Sequence, residues 1–242
     1  MNVFRWKNCY ADVAASKHGI SVQSFFDDVV VPAIQTLEGK IFALGRSDDP
    51  GDVFAQSDAE DVLHATKMAF ALSIQSIWER QLRGYLSGCA KELRPNDNVA
   101  NKAERGDWNK LCELFLELRG IGLETFPSFA ELDTLHLLGN ACRHGDGPSA
   151  IELTKRCPDL WRNYSPVPFD DVSHKVARSP IALMEVSMDR LQVFVVAIVS
   201  FWNDAEYIYN ESIERKHPSL QARLARERAE RSWRPQTADG CA

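Results

Sequence analysis

The sequence predicts an all-α protein, an antiparallel helical bundle of about five to seven helices. Three observations point there. Ser-x-x-Glu helix starts occur at Ser57, Ser128 and Ser149. Behind them apolar residues return at three-, four- and five-residue steps, the period of an amphipathic helix. The alternation that a strand needs is nearly absent. With 242 residues, 45% hydrophobic and 26% charged, the chain can bury a substantial core and is neither disordered nor collagen-like.

The first predicted helix runs from Val22 to about Leu44. Pro32 should kink it, because proline lacks an N–H and its ring crowds the preceding turn. An Asp-rich linker with Pro50-Gly51 covers Gly45 to Gln56. Ser57 and Glu60 then form a capping box, hydroxyl and carboxylate each satisfying an orphan backbone donor. Val62, Ala65, Ala69, Leu72, Ile77, Leu82 and Leu86 carry that helix to about Leu93, where Arg94-Pro95-Asn96-Asp97 stops it. Asp107 caps a helix through Leu111, Leu114, Phe115 and Leu118, and Gly120 closes it from the left-handed position.

Ser128 with Glu131 opens a helix through Leu132, Leu135, Leu138 and Cys142. Ser149 with Glu152 opens a short one ending near Cys157-Pro158. After a linker from Trp161 to Arg178, Ser179-Pro180 starts a long central helix, with proline at the first helical position, where its missing N–H costs nothing. Its apolar face passes through Leu183, Leu191, Phe194, Ile198 and Phe201 to Ile208. Only Val167 to Val176 hints at extended chain, and Pro166 and Pro168 confine it to an edge or loop. The order suggests an N-terminal helical region (1–56), a helical bundle (57–215) and a basic C-terminal helix or tail (216–242).

Charge is unevenly placed. Residues 215–234 hold Arg215, Lys216, Arg223, Arg226, Arg228, Arg231 and Arg234 against Glu227 and Glu230. The overall formal charge is −6, so this surplus of five leaves −11 on the rest. That balance argues against a general nucleic-acid coat protein. The basic stretch is either a solvated terminal helix or a handle for RNA, an acidic partner or the body itself. The six cysteines (9, 89, 112, 142, 157 and 241) show no close pair in sequence and no zinc spacing. With no apolar run behind Arg5, Trp6 and Lys7, they read as reduced thiols of a cytoplasmic protein. Leu191 to Trp202, the most apolar stretch, twelve residues bounded by Asp189 and Asp204, is too short to span a bilayer and reads as a buried helix, so no membrane partner is expected.

One segment carries candidate chemistry: Leu135-His136-Leu137-Leu138-Gly139-Asn140-Ala141-Cys142-Arg143-His144-Gly145-Asp146-Gly147. On a helix His136, Asn140, Arg143 and His144 fall at i, i+4, i+7 and i+8 and share one face. Leu132, Leu135, Leu138 and Cys142 form the apolar stripe, Gly145 ends the helix, and Gly147-Pro148 keeps it from resuming. His144 stands in the last turn, where the helix dipole favours positive charge. Imidazole can move protons near neutrality, guanidinium can hold two phosphate oxygens, and an amide can donate to another. Together they suit attack by a ribose 2′-hydroxyl on its neighbouring phosphate, with no metal and no cofactor. The structural alternative is a polar face that meets solvent or a neighbouring helix.

Gly-Asn-Ala-Cys-Arg-His-Gly-Asp-Gly at 139–147, preceded by the long helix around Phe70 to Leu86, resembles the HEPN superfamily. The resemblance spans about 58–215 as a pattern of helices, and its sharp part is those nine residues. It implies an α-helical bundle of bacterial toxin–antitoxin or antiphage defence systems, many of whose members are homodimeric, metal-independent RNases. The family motif is an Arg, often followed by Asn, then four to six residues and a His. Asn140 and His144 match at that separation; Gly139 stands where the Arg belongs. The resemblance thus implies His144 as acid/base, Arg143 and Asn140 on phosphate, His136 assisting, RNA as substrate, and a second subunit, an antitoxin or an effector as protein partner. The other reading is a non-catalytic helical interaction module.

Further signals read as structural. His136 and His144 lie about 12 Å apart along a helix, too far for one metal, and no metal-ligand spacing occurs elsewhere. Cys142 on the apolar stripe reads as a buried thiol. Glu79–Arg83 is a favourable i, i+4 pair, and the aromatic crowd around Trp202, Tyr207 and Tyr209 reads as a core or dimer seal.

Overall fold

The computed structural model describes residues 3–161 and 180–235 of the chain, and these form an all-α helical bundle with no strand among them. Ser179 and the Val167–Val176 stretch lie outside the described residues. In chain order the α-helices are α1 (Tyr10–Ala15), α2 (His18–Phe25), α3 (Val31–Leu44), α4 (Asp52–Leu93), α5 (Val99–Arg105), α6 (Trp108–Arg119), α7 (Phe129–His144), α8 (Pro148–Arg156), α9 (Met188–Ser212) and α10 (Pro218–Glu230). Among the described residues the longer helices make up the expected bundle, and short ones such as α1 and α5, which lack the two-turn apolar repeat that sequence reading depends on, add to it.

Several ends differ from expectation. The helix predicted from Val22 to Leu44 starts at His18 and is broken by a π turn at Phe26–Val30, just before Pro32. A wider turn there is a physical answer to a residue that cannot donate to the preceding turn. α4 begins at Asp52, not at Ser57. Asp49 Oδ1 accepts from the Gly51 N–H at 2.8 Å and Asp49 O from Asp52 at 3.0 Å, so the Asp-Pro-Gly turn launches the helix five residues early. Glu60 accepts from Gln56 instead of closing a capping box.

At α7 the start is as expected, but Ser128 Oγ is buried without a hydrogen bond, and Glu131 pairs with Arg190 at 3.1 Å. At α8 the cap is Gly147 with Pro148 at the first turn, so Ser149 lies inside the helix and Glu152 pairs with Arg156. The long apolar helix starts at Met188; Leu183 sits in a 3-10 turn, half exposed, and Ser187 Oγ accepts from Arg190 N–H. Asp107 and Gly120 behave as read: Asp107 accepts from Lys110 N–H, and Gly120 has φ +72°.

The chain divides into two compact units, one of residues 1–21, 78–130 and 197–242, the other of 22–77 and 131–196. In the first, Trp78, Phe115, Phe126, Phe201 and Trp202 pack in edge-to-face and tilted ring contacts. Trp202 also donates to Gln81 Oε1 at 2.9 Å, and it and Tyr207 are buried, so this aromatic group seals a core. Beside it, the Arg119 side chain, fully buried, pairs with Asp12 at 2.5 Å and lies 3.8 Å over the Trp6 ring. Tyr85 donates to the same Asp12 oxygen at 2.9 Å.

Most of the basic stretch folds as α10, and three of its arginines pair with α9. Arg228 grips Glu211 through two nitrogens, at 2.6 and 2.8 Å, Arg223 reaches Glu206 at 2.9 Å, and Arg231 pairs with Asp204. α9, 25 residues long, passes the length and apolarity required to cross a membrane, with 56% of its apolar window buried. That burial, with Leu191, Phe194, Ile198, Phe201 and Ile208 sealed from solvent, fits the core helix read from sequence.

Candidate functional site

The predicted site lies on α7 within the second unit. Leu132, Leu135 and Leu138 are buried as predicted and fix the helix from below, while Cys142 is only half-buried. Burial pushes the Cys142 thiol up to about 11, so it stays protonated at neutral pH and is no nucleophile. Two ion pairs hold the helix from its neighbours: Arg156 of α8 with Asp133 at 2.5 Å, and Arg190 of α9 with Glu131.

His136 and Asn140 meet directly. Asn140 Nδ2 lies 2.9 Å from His136 Nε2, the i, i+4 contact read from sequence. With the amide in this orientation Nε2 accepts, which places the ring proton on Nδ1. Arg143 lies a further three residues on and donates from Nη2 to Gln75 Oε1 of α4 at 3.3 Å. His144 is the last residue of α7 and is exposed, and among the described residues it makes no hydrogen bond or ion pair. The structure therefore joins His136 to Asn140 and ties Arg143 to Gln75, and leaves His144 open to solvent at the helix end.

The stop after His144 is built as predicted. Gly145 takes φ +72° and its N–H bonds to Ala141 O at 2.8 Å, closing the helix from the left-handed region. Asp146 is a fastening: its Oδ1 accepts from the Ile181 N–H at 2.8 Å.

Sequence reasoning missed the part played by Gly139 and Gln75. A Cβ built on Gly139 would lie 2.5 Å from Gln75 Cγ and 2.9 Å from its Cβ. The motif's Arg position is therefore a buried crossing point of α7 and α4, where any side chain would run into that of Gln75. The clue available in sequence was a glycine in mid-helix, a residue usually kept there for a packing reason. Gln75 itself is 1% exposed and uses its amide oxygen on Arg143. Among the described residues no group of three or more His, Cys, Asp or Glu is placed to hold a metal ion. Compared with family models, with curated proteins and with solved structures, the chain finds no match.

Proposed function

We propose that this chain is a HEPN-like helical protein that acts on RNA, with the end of α7 as its phosphate-facing edge. The observation that carries the reading is the joint exposure of Arg143 and His144 at that end, one turn beyond the hydrogen-bonded His136–Asn140 pair. In this reading Arg143 holds the non-bridging phosphate oxygens. His144 takes the proton from the ribose 2′-hydroxyl as it attacks the neighbouring phosphorus, and returns it to the departing 5′-oxygen, which leaves as a hydroxyl beside a cyclic phosphate. Asn140 has a second N–H for a phosphate oxygen, and His136 orients its amide. No step needs a metal or cofactor. A homodimer would set a second such edge beside the first, and the setting implied by the resemblance is a bacterial defence or toxin–antitoxin system with an antitoxin or effector partner.

One observation favours a second reading. Because Gly139 is packed against Gln75, the motif's Arg has no counterpart on this helix turn. A chain that has given up that position to packing fits a non-catalytic helical interaction module.

The experiment uses purified full chain with labelled single-stranded RNA and transfer RNA in EDTA, beside His144→Ala and Arg143→Ala. Cleavage that survives chelation and falls about 10²–10⁴-fold with His144→Ala establishes the enzyme. Binding without cleavage, weakened by Arg143→Ala, leaves an RNA-binding component. Neither cleavage nor binding overturns the RNA reading and leaves the interaction module.

A further inference from the structure

The two cysteines nearest the buried Arg119 cluster are 80 residues apart in sequence, yet Cys9 Sγ lies 3.3 Å from Cys89 Sγ, and both thiols are free. The approach is imposed by main chain. Gly88 has no Cβ, and one placed there would stand 2.9 Å from the Ala11 Cβ, so α1 and α4 touch one residue from Cys89 and two from Cys9. Disulfide sulfurs lie about 2.05 Å apart, so the bond needs a closure of about 1.3 Å, within reach of side-chain rotation.

The surroundings are unequal for the two sulfurs. Arg119 Nη1 stands 3.9 Å from Cys9 Sγ and also donates to Lys7 O at 3.0 Å, so a permanent positive charge is held beside Cys9. The Cys9 N–H is bound to Asp12 Oδ2 at 2.8 Å, which fixes the start of α1. The hydrogen bond between the two sulfurs draws the Cys9 thiol below its usual range, with Arg119 adding to that against burial and Asp12; the Cys89 thiol is pushed up by the same pairing and by burial. Cys9 also retains 5% exposure next to the exposed Arg5 and Lys7, whereas Cys89 has none.

We propose that Cys9 and Cys89 are a peroxide-oxidised thiol pair, with Cys9 as the attacking sulfur and Cys89 as the resolving one. The oxidant is hydrogen peroxide, small enough to reach Cys9. The Cys9 thiolate attacks one peroxide oxygen, the O–O bond breaks, and the departing hydroxide takes up the proton that Cys9 released. Cys9 is then a sulfenic acid, oxidised by two electrons, and the peroxide is reduced. The Cys89 sulfur attacks the sulfenic sulfur, the S–O bond breaks, and hydroxide leaves with the Cys89 proton as a second water. Two thiols and one peroxide become one disulfide and two waters. Such transient pairs are the form disulfides take in reducing compartments.

The test uses fully reduced, desalted chain given one equivalent of hydrogen peroxide and then blocked with a thiol alkylator. Unfolded in the alkylator, the protein should take up four labels instead of one on each of the six cysteines in the sequence. A non-reducing peptide map should join the peptides of Cys9 and Cys89, and dithiothreitol should separate them. In Cys89→Ser, dimedone should capture a sulfenic acid on Cys9. Six thiols remaining, or a link between any other pair, overturns the proposal. The peptide map needs only the unaltered chain, so a variant that fails to fold does not blunt it. The result is independent of whether the α7 edge acts on RNA.

Discussion

An added methyl at Gly139 would fall 2.5 Å from Gln75 Cγ, well inside van der Waals contact. Gly139→Ala should gain up to about 1 kcal/mol of helix propensity and lose about 1–3 kcal/mol to overpacking. The expected net is a loss of about 1–2 kcal/mol, read by urea unfolding. In a Gln75→Ala background the two nearest atoms are gone, so the penalty should shrink by at least about 0.5 kcal/mol. Equal penalties in both backgrounds would mean that the contact is not what excludes a side chain. At this scale the His136–Asn140 pair was legible, because an i, i+4 contact follows from helix periodicity alone. The role of Gly139 was not, since a helix crossing joins residues 64 apart in sequence and leaves no mark in local pattern.

The docking of α10 on α9 governs the second scale. Glu211 has no exposed side-chain surface; Arg228 bonds both of its carboxylate oxygens, and Tyr207 is a further hydrogen-bond partner. Burial pushes the Glu211 carboxyl up, and the Arg228 bonds and charge more than offset this, so it is held below the usual range. Arg228→Met should therefore strand a buried carboxylate. The expected loss is about 1–3 kcal/mol, discounted because the arginine is part exposed. Trypsin cleavage at Arg215 and Lys216, between the two helices, should quicken. Unchanged cleavage would show that the pair does not hold α10 down. The surplus of positive charge in 215–234 was plain in the sequence, but not its use, because Glu206, Glu211 and Asp204 lie on another helix. Helix starts divide the same way. Asp107 and Gly120 act through bonds to residues three or four away and were read correctly, whereas Ser57, Ser128 and Ser149 lost their capping roles to nearby turns and ion pairs.

The stability of the whole chain should carry the signature of His18. Its ring packs edge-on to Trp202 at 4.6 Å, and burial lowers its pKa. The unfolded chain binds a proton near pH 6.5, while the folded one binds it only at lower pH. The contribution is thus complete above pH 6.5 and is lost as pH falls through the folded value, because the unfolded state then holds more protons. Melting temperature should be flat from pH 8 to 7 and decline toward pH 5, and His18→Phe should flatten the decline. A variant with the same slope as the parent would assign the acid sensitivity to other groups. The all-α class was legible at this scale because periodicity reports it directly. The assembly of one unit from three separated segments was not, since nothing in a linear pattern says which distant helices meet.

That three-segment unit sets an order on the ribosome. Residues 22–77 and 131–196 have all emerged before 197–235 begin to appear, so their unit can complete while the other still lacks Phe201, Trp202 and the α10 clasp. Until then Trp78 and Phe115 wait without the Phe201 ring that packs against both, and the nascent chain is most vulnerable to chaperone capture or aggregation in that interval.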